Sequence, residues 1–137
     1  MVQGLGLGHS TMASIITRGI HEMTRLGMKL GANPLTFSGL SGIGDLVLTC
    51  TGDLSRNCSL GIEIAQGKKV EDIIKERQTV AEGYPTAKAV YELSQKFKLD
   101  LPICHEVYKI LYEDKSIAET VKDLAARDLK RELEGII

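Results

Sequence analysis

Apolar residues recur along most of this chain at three- and four-residue intervals, the period of an α-helix with one face turned inward. In the first long segment Ile16, Ile20, Met23 and Leu30 follow that spacing. Ser10 or Thr11 offers an N-cap, and Gly31 stands where a helix end favours a left-handed residue. The pattern predicts one long helix ending near Leu30. Gly19 and Gly27 fall inside it, and an interior glycine costs a helix about 1 kcal/mol relative to alanine. Their presence predicts close approach by another element. Arg18 and Arg25 lie seven apart, hence on one face, and read as a solvated or ion-paired stripe.

Residues 33–50 break the pattern. Pro34 suits a helix start, but Gly39, Gly42 and Gly44 interrupt any long helix, so short helical pieces are expected. Leu46-Val47-Leu48 favours strand by propensity, yet one such run has no partner. It reads as buried helix or coil. Ser55 then caps a predicted helix from about Arg56 to Gln66, stopped by Gly67, and a short helix from Val70 to Glu76 follows. After the break at Glu82-Gly83-Tyr84-Pro85, Val90, Leu93 and Phe97 supply one apolar face. Pro102 opens another helix, with Ile103, Val107, Ile110 and Leu111 inward. Ser116-Ile117-Ala118-Glu119 is a capping box before a last helix carrying Ile117, Val121 and Leu124. Roughly seven helices with short connections predict a single all-α domain over residues 1–137.

Composition narrows the function. At 137 residues and 43% hydrophobic, the chain is large enough for one real core; without Trp and with 4% aromatics, that core must be mostly aliphatic. Seventeen Lys and Arg against eighteen Asp and Glu give a net charge of -1, with no electrostatic reason to expect nucleic acid. No apolar run approaches the ~20 residues of a membrane span. Met1-Val2-Gln3-Gly4 has neither a basic region nor an apolar one, so no signal peptide is expected. Cys50, Cys58 and Cys104 form an odd, unpaired set that suits the reduced thiols of a cytoplasmic protein. His9, His21 and His105 show no metal-ligand spacing, and no metal site is expected. Cys104 and His105 are adjacent and diverge on a helix, so they read as a buried thiol and a surface imidazole.

Gly4-Leu5-Gly6-Leu7-Gly8 superficially looks like a dinucleotide fingerprint. That fingerprint needs a preceding strand, and three residues cannot supply one. A tight loop before a helix is expected instead. The densest cluster of polar groups amid glycines runs from Gly44-Asp45 to Thr49-Cys50, followed by Ser55-Arg56-Asn57. A buried Asp45 in an apolar run would need a cation or hydroxyl partner, or it is simply a helix cap. Ser55-Arg56-Asn57 at a helix start suits an anion, because free N–H groups and the positive end of the dipole point outward there. Arg56 adds a guanidinium able to grip a phosphate through two parallel hydrogen bonds. A capped helix with an exposed arginine remains the alternative.

Several long motifs carry a resemblance. Ile16-Thr17-Arg18-Gly19-Ile20-His21-Glu22-Met23 through Arg25-Leu26-Gly27, the run Gly39 to Thr51, and Ser55-Arg56-Asn57 resemble bacterial-type NAD(P)-dependent glycerol-3-phosphate dehydrogenases. Glu82-Gly83, Pro102-Ile103, Val107-Tyr108 and Leu111-Tyr112 keep that family's order, and Arg127 and Glu132 its closing pattern. The resemblance implies the C-terminal, substrate-binding domain of such an enzyme, with a fold like the C-terminal domain of 6-phosphogluconate dehydrogenase. It implies interconversion of dihydroxyacetone phosphate and sn-glycerol 3-phosphate with NAD or NADP, in glycerophospholipid biosynthesis. Asp45 and Thr49 would meet the glycerol end of the substrate, Asp45 in a supporting catalytic role. Ser55, Arg56 and Asn57 would hold the phosphate, and Arg56, Val80 and Glu82 would touch the nicotinamide dinucleotide. His9-Ser10 departs from the family's usual loop. The family's catalytic lysine and its GxGxxG Rossmann domain lie upstream of the Gly4 loop, so the chain by itself is expected to be inactive and to bind the dinucleotide only in part. The alternative is a non-catalytic helical module for dimerisation or partner binding, and a homodimer is compatible with either.

Overall fold

In a computed structural model of the chain, residues 1–52, 55–77, 79 and 81–127 are described. They form seven α-helices: α1 (His9–Lys29), α2 (Asp45–Thr51), α3 (Arg56–Ala65), α4 (Val70–Glu76), α5 (Gly83–Phe97), α6 (Pro102–Tyr112) and α7 (Ile117–Ala125). Between α1 and α2 run a 3-10 turn (Pro34–Ser38) and a π turn (Leu40–Gly44). No strand occurs among the described residues, as the all-α reading requires.

Several helix ends are set by local chemistry. The Asn33 side chain accepts the Leu35 N–H at 2.9 Å, with Pro34 in the first turn. Ser116 and Glu119 close the expected capping box at α7. Gly31, at φ +90°, ends α1 and lets the Ala32 N–H reach back to the Gly27 carbonyl at 2.9 Å. Gly67 takes a left-handed φ of +91° just beyond α3.

The core joins Leu60 of α3, Val70 and Ile73 of α4, Ala81, Ala87 of α5 and Leu111 of α6. It is aliphatic, as the composition demanded. Helices α5 and α6 pack side by side, and the four tyrosines stack along that seam. Ring centroids lie 4.6 Å apart for Tyr84–Tyr112, 5.1 Å for Tyr108–Tyr112 and 3.9 Å for Tyr91–Tyr108. Glu106 of α6 is bonded by Lys109 at 2.7 Å and Lys115 at 2.5 Å, and Lys115 also meets Asp123 of α7 at 2.5 Å. This cluster ties α7 to α6.

Helix α1 corrects three expectations. It starts at His9 behind Gly8, without a side-chain cap, so Ser10 and Thr11 lie inside it. Met23 and Leu30 are exposed, whereas Glu22 and Thr24 are buried alongside Ile16. The helix meets the irregular 34–44 segment and α2 on one side and α6 on another, and two-sided contact blurs a single apolar stripe. Gly27 bears out the close approach: a Cβ there would lie 2.7 Å from Cε2 of Phe37. Gly19 does not, since its nearest neighbour, Leu46 Cδ2, is at 3.8 Å. Leu46-Val47-Leu48 is helical but not buried: Leu48 keeps 69% of its surface and Val47 40%.

Candidate functional site

The start of α3 is assembled by contacts from three directions. Ser55 has extended backbone, and its Oγ accepts the Cys58 N–H at 3.2 Å. That is an N-cap, and it leaves the first amides of the helix without intrahelical acceptors. Arg56 is the first residue of the helix and is exposed. Its backbone therefore lies at the positive end of a ten-residue helix. The Arg56 carbonyl accepts from Arg77 Nη1 at 3.3 Å. The same guanidinium donates through Nη2 to Ser59 Oγ at 2.8 Å and to Glu63 Oε1 at 2.5 Å. Hydrogen bonds from Lys68 and from Arg77 hold the Glu63 carboxyl below the usual carboxylate range.

Asn57 is fixed from the other side. Its Oδ1 accepts the Gly83 N–H at 2.8 Å. A Cβ on residue 83 would come within 2.8 Å of that oxygen, so the bond needs glycine. With its oxygen turned to Gly83, Asn57 can donate through its NH₂ group to a ligand. Glu82 is exposed immediately before α5, next to the residue that Asn57 holds. Val80 lies outside the described residues.

A groove of about 830 Å³ runs between the amino-terminal turns, α1, the end of α2, the start of α3, α6 and α7. Thr49 and Asn57 line it together with Thr17, Arg18, His21 and Arg25. Arg18 and Arg25 of α1, read as a solvated or ion-paired stripe, thus border this groove. Asp45, Ser55, Arg56 and Glu82 are not among the groove's lining residues. Asp45 is exposed in the first turn of α2, one turn before Thr49 and on the same helix face. Asp45 is thus not the buried, paired carboxylate expected: in water it bears no desolvation penalty, and an acidic residue there suits the helix dipole.

Two further polar groups depart from expectation. Glu22 is 2% exposed and accepts the Ile103 N–H at 2.8 Å and the Cys104 N–H at 3.0 Å, closing the start of α6. Burial pushes its carboxyl up, and those bonds offset only part of the effect. Burial, reinforced by Glu22, drives the Cys104 thiol well above its usual range, which makes it a poor nucleophile. His105 is half-buried rather than at the surface: its Nε2 is 2.6 Å from Ser94 Oγ, and its ring meets Tyr91 edge-on. Among the described residues no group of three His, Cys, Asp or Glu side chains could hold a metal ion. No described helix is long and apolar enough to cross a membrane.

Glu22, Arg77 and the Asn57–Gly83 bond were missed by sequence reasoning. Glu22 and Arg77 look like ordinary surface charges, and their partners lie 81 and 21 residues away. Only the glycine at position 83 beside a helix start gave a local signal.

Comparison with known proteins follows the same lines. Residues 1–122 match the family model described as NAD-dependent glycerol-3-phosphate dehydrogenase C-terminus. The glycerol-3-phosphate dehydrogenase [NAD(P)+] of Maridesulfovibrio salexigens is 58% identical over 132 residues, covering 96% of this chain and 40% of the relative. That of Syntrophobacter fumaroxidans is 53% identical over 131 residues, covering 96% and 38%. The crystal structure of glycerol-3-phosphate dehydrogenase from Coxiella burnetii superposes with a TM-score of 0.87 at 36% identity, over 92% of this chain and 39% of that one. The chain spans about two fifths of the length of the curated relatives it matches.

Proposed function

Since the chain belongs to the NAD-dependent glycerol-3-phosphate dehydrogenase family and matches its C-terminal portion, we propose that it is the substrate domain of an oxidoreductase interconverting dihydroxyacetone phosphate and sn-glycerol 3-phosphate. The observation that supports this reading is the start of α3, where a capping serine, an exposed arginine and a fixed carboxamide follow one another in the chain. A phosphoryl group there would accept from the first free amides of α3, from the Ser55 hydroxyl and from the Arg56 guanidinium. Asn57 would donate through its NH₂ group. Thr49 lines the same groove as Asn57 and would donate to a hydroxyl or carbonyl of the three-carbon chain. Asp45, one turn away, would accept from a substrate hydroxyl or orient a lysine brought in from outside this chain.

The nicotinamide of NAD or NADP, when bound, accepts a hydride from the substrate's C2 or supplies one to it. The residues here fit the edge of such a cofactor rather than its cradle. Arg56, Val80 and Glu82 would border it, and the Asn57–Gly83 bond joins the phosphate-facing turn to the residue next to Glu82. The glycines at 4, 6 and 8 do not form a strand-to-helix phosphate loop; the segment before α1 is a series of turns. The domain's task is to bind and orient, so that the reacting carbon is held for a hydride and its oxygen for a proton.

The test is dihydroxyacetone-phosphate-dependent NADH oxidation by the complete encoded polypeptide and its Arg56→Ala variant. Loss of a charge-assisted pair of hydrogen bonds is expected to raise KM for dihydroxyacetone phosphate about 10- to 100-fold. Equal kcat/KM in the two proteins would overturn the assignment. The 137 residues alone are expected to show no turnover.

A second reading is favoured by the apolar surface at and before α2. Leu35, Leu40 and Leu48 keep 76%, 90% and 69% of their surface. Such residues suit apposition of another surface, as in a homodimer or a docking module. Sedimentation across a hundredfold range of concentration separates self-association from a clean monomer.

A further inference from the structure

From the geometry around α3 we infer that Arg77 is a positioning residue, one that holds the first turn of α3 in the pitch needed to bind a phosphoryl group. The inference rests on the phosphate site proposed above. Arg77 follows the last residue of α4, and its side chain is 18% exposed. One guanidinium makes three bonds to α3: to the Arg56 carbonyl at 3.3 Å, to Ser59 Oγ at 2.8 Å and to Glu63 Oε1 at 2.5 Å. Glu63 lies two turns along α3 from Arg56 and anchors the fork. The other two bonds grip the first turn itself.

The bond to the Arg56 carbonyl is the informative one. Carbonyls in the first turn of a helix point along the axis, away from the amides that would face an anion. Fixing the Arg56 carbonyl fixes the peptide plane joining it to the Asn57 N–H, and so the direction in which that amide points. Asn57 is held at the same time by the Gly83 N–H at 2.8 Å. The two attachments lie on either side of residues 78–82. The turn that would meet the phosphate is therefore tied both to Arg77, just after α4, and to Gly83, at the start of α5, and Arg77 is the charged half of the tie. It carries the positioning without offering its own charge, which Glu63 neutralises.

Lysine cannot reproduce this. Its ammonium can keep the Glu63 pair but has no planar fork to span the carbonyl and the hydroxyl together. Arg77→Lys is therefore the discriminating variant, and Ser59→Ala removes one leg without touching any charge. The ligand is sn-glycerol 3-phosphate, titrated by calorimetry into the complete encoded polypeptide, with melting temperature measured in parallel. Arg77→Lys is expected to weaken binding about tenfold and Ser59→Ala about threefold. Ile73→Val in the core, destabilising to a similar degree, is expected to leave affinity within twofold, which separates positioning from general loosening. Arg56→Ala serves as the site control. If Arg56→Ala weakens binding while Arg77→Lys and Ser59→Ala bind like the parent, the positioning role is wrong and the phosphate site stands. If Arg56→Ala binds like the parent, or the parent itself does not bind, the site falls and the role of Arg77 with it.

Discussion

Replacing Glu22 by alanine exposes how much of this fold hangs on one buried carboxylate. Glu22 is 2% exposed and accepts two backbone N–H groups, from Ile103 and Cys104, in the first turn of α6. Pro102 begins that helix, and Leu101 before it offers no side-chain cap, so Glu22 supplies the cap from another helix. Hydrogen bonds to a charged acceptor contribute about 1.5–3 kcal/mol each, but burying the carboxylate takes back part of that. A net loss of about 3 kcal/mol is expected for Glu22→Ala, with two buried donors left unmet. For a chain of this size that corresponds to roughly 10 °C in Tm. Urea denaturation at pH 7 measures it. A loss under about 0.5 kcal/mol would refute the reasoning, because it would mean that water satisfies the start of α6.

The pH dependence gives a second reading of the same site. Burial raises the Glu22 carboxyl above its usual value of 4.5. A group whose pKa is higher in the folded state keeps its proton better folded than unfolded. Its contribution is then complete below pH 4.5 and declines as pH rises through the raised folded value. Glu22→Gln cannot ionise. The stability of the parent relative to this variant should therefore fall as pH climbs upward from 4.5, and a difference that grows over that range would contradict the assignment.

Three other outcomes follow from the packing. Gly27→Ala should destabilise by about 1–3 kcal/mol despite alanine's better helix propensity, because the new Cβ runs into the Phe37 ring; a raised Tm would show that the ring gives way freely. Glu106→Gln should lower stability to urea at pH 7, since it takes the shared carboxylate from Lys109 and Lys115 and leaves Lys115 only Asp123. Burial pushes the Glu106 carboxyl up, but hydrogen bonds from Lys109 and Lys115 outweigh this and hold it below 4.5. That stabilisation is present above 4.5 and lost as pH falls through the lowered value, so acid unfolding curves of parent and variant should converge. Gly83→Ala should break the Asn57 bond and lower affinity for sn-glycerol 3-phosphate several-fold, checked by calorimetry; unchanged affinity would detach Asn57 from the site.

The sequence made several helix limits legible because they are local. Ser55 and Ser116 cap, Pro34 and Pro102 open, and Gly31 and Gly67 close, each through contacts within a few residues, whereas α1 starts at His9 without the cap expected from Ser10 or Thr11. Burial was less legible. Helix α1 packs on two sides, so its inward positions include Glu22 and Thr24 and leave out Met23. Leu46-Val47-Leu48 looks like core by composition but lies on a short helix with an exposed face. At the candidate site, the capped helix end at Ser55-Arg56-Asn57 was readable because capping and the dipole are properties of a short stretch of chain. The fixing of that end by Arg77 and Gly83 was not, because it joins α3 to the chain on either side of residues 78–82. Asp45 was given a burial argument that its exposed position removes.

The most direct measurement is a titration of the ¹⁵N-labelled chain with sn-glycerol 3-phosphate, following backbone amides by NMR. The account predicts saturable shifts that are largest at Arg56 and Asn57, extend to Gly83 through the Asn57 bond, and are absent with glycerol alone. Shifts that never saturate, or that centre on α5 to α7 while the start of α3 stays still, would contradict it.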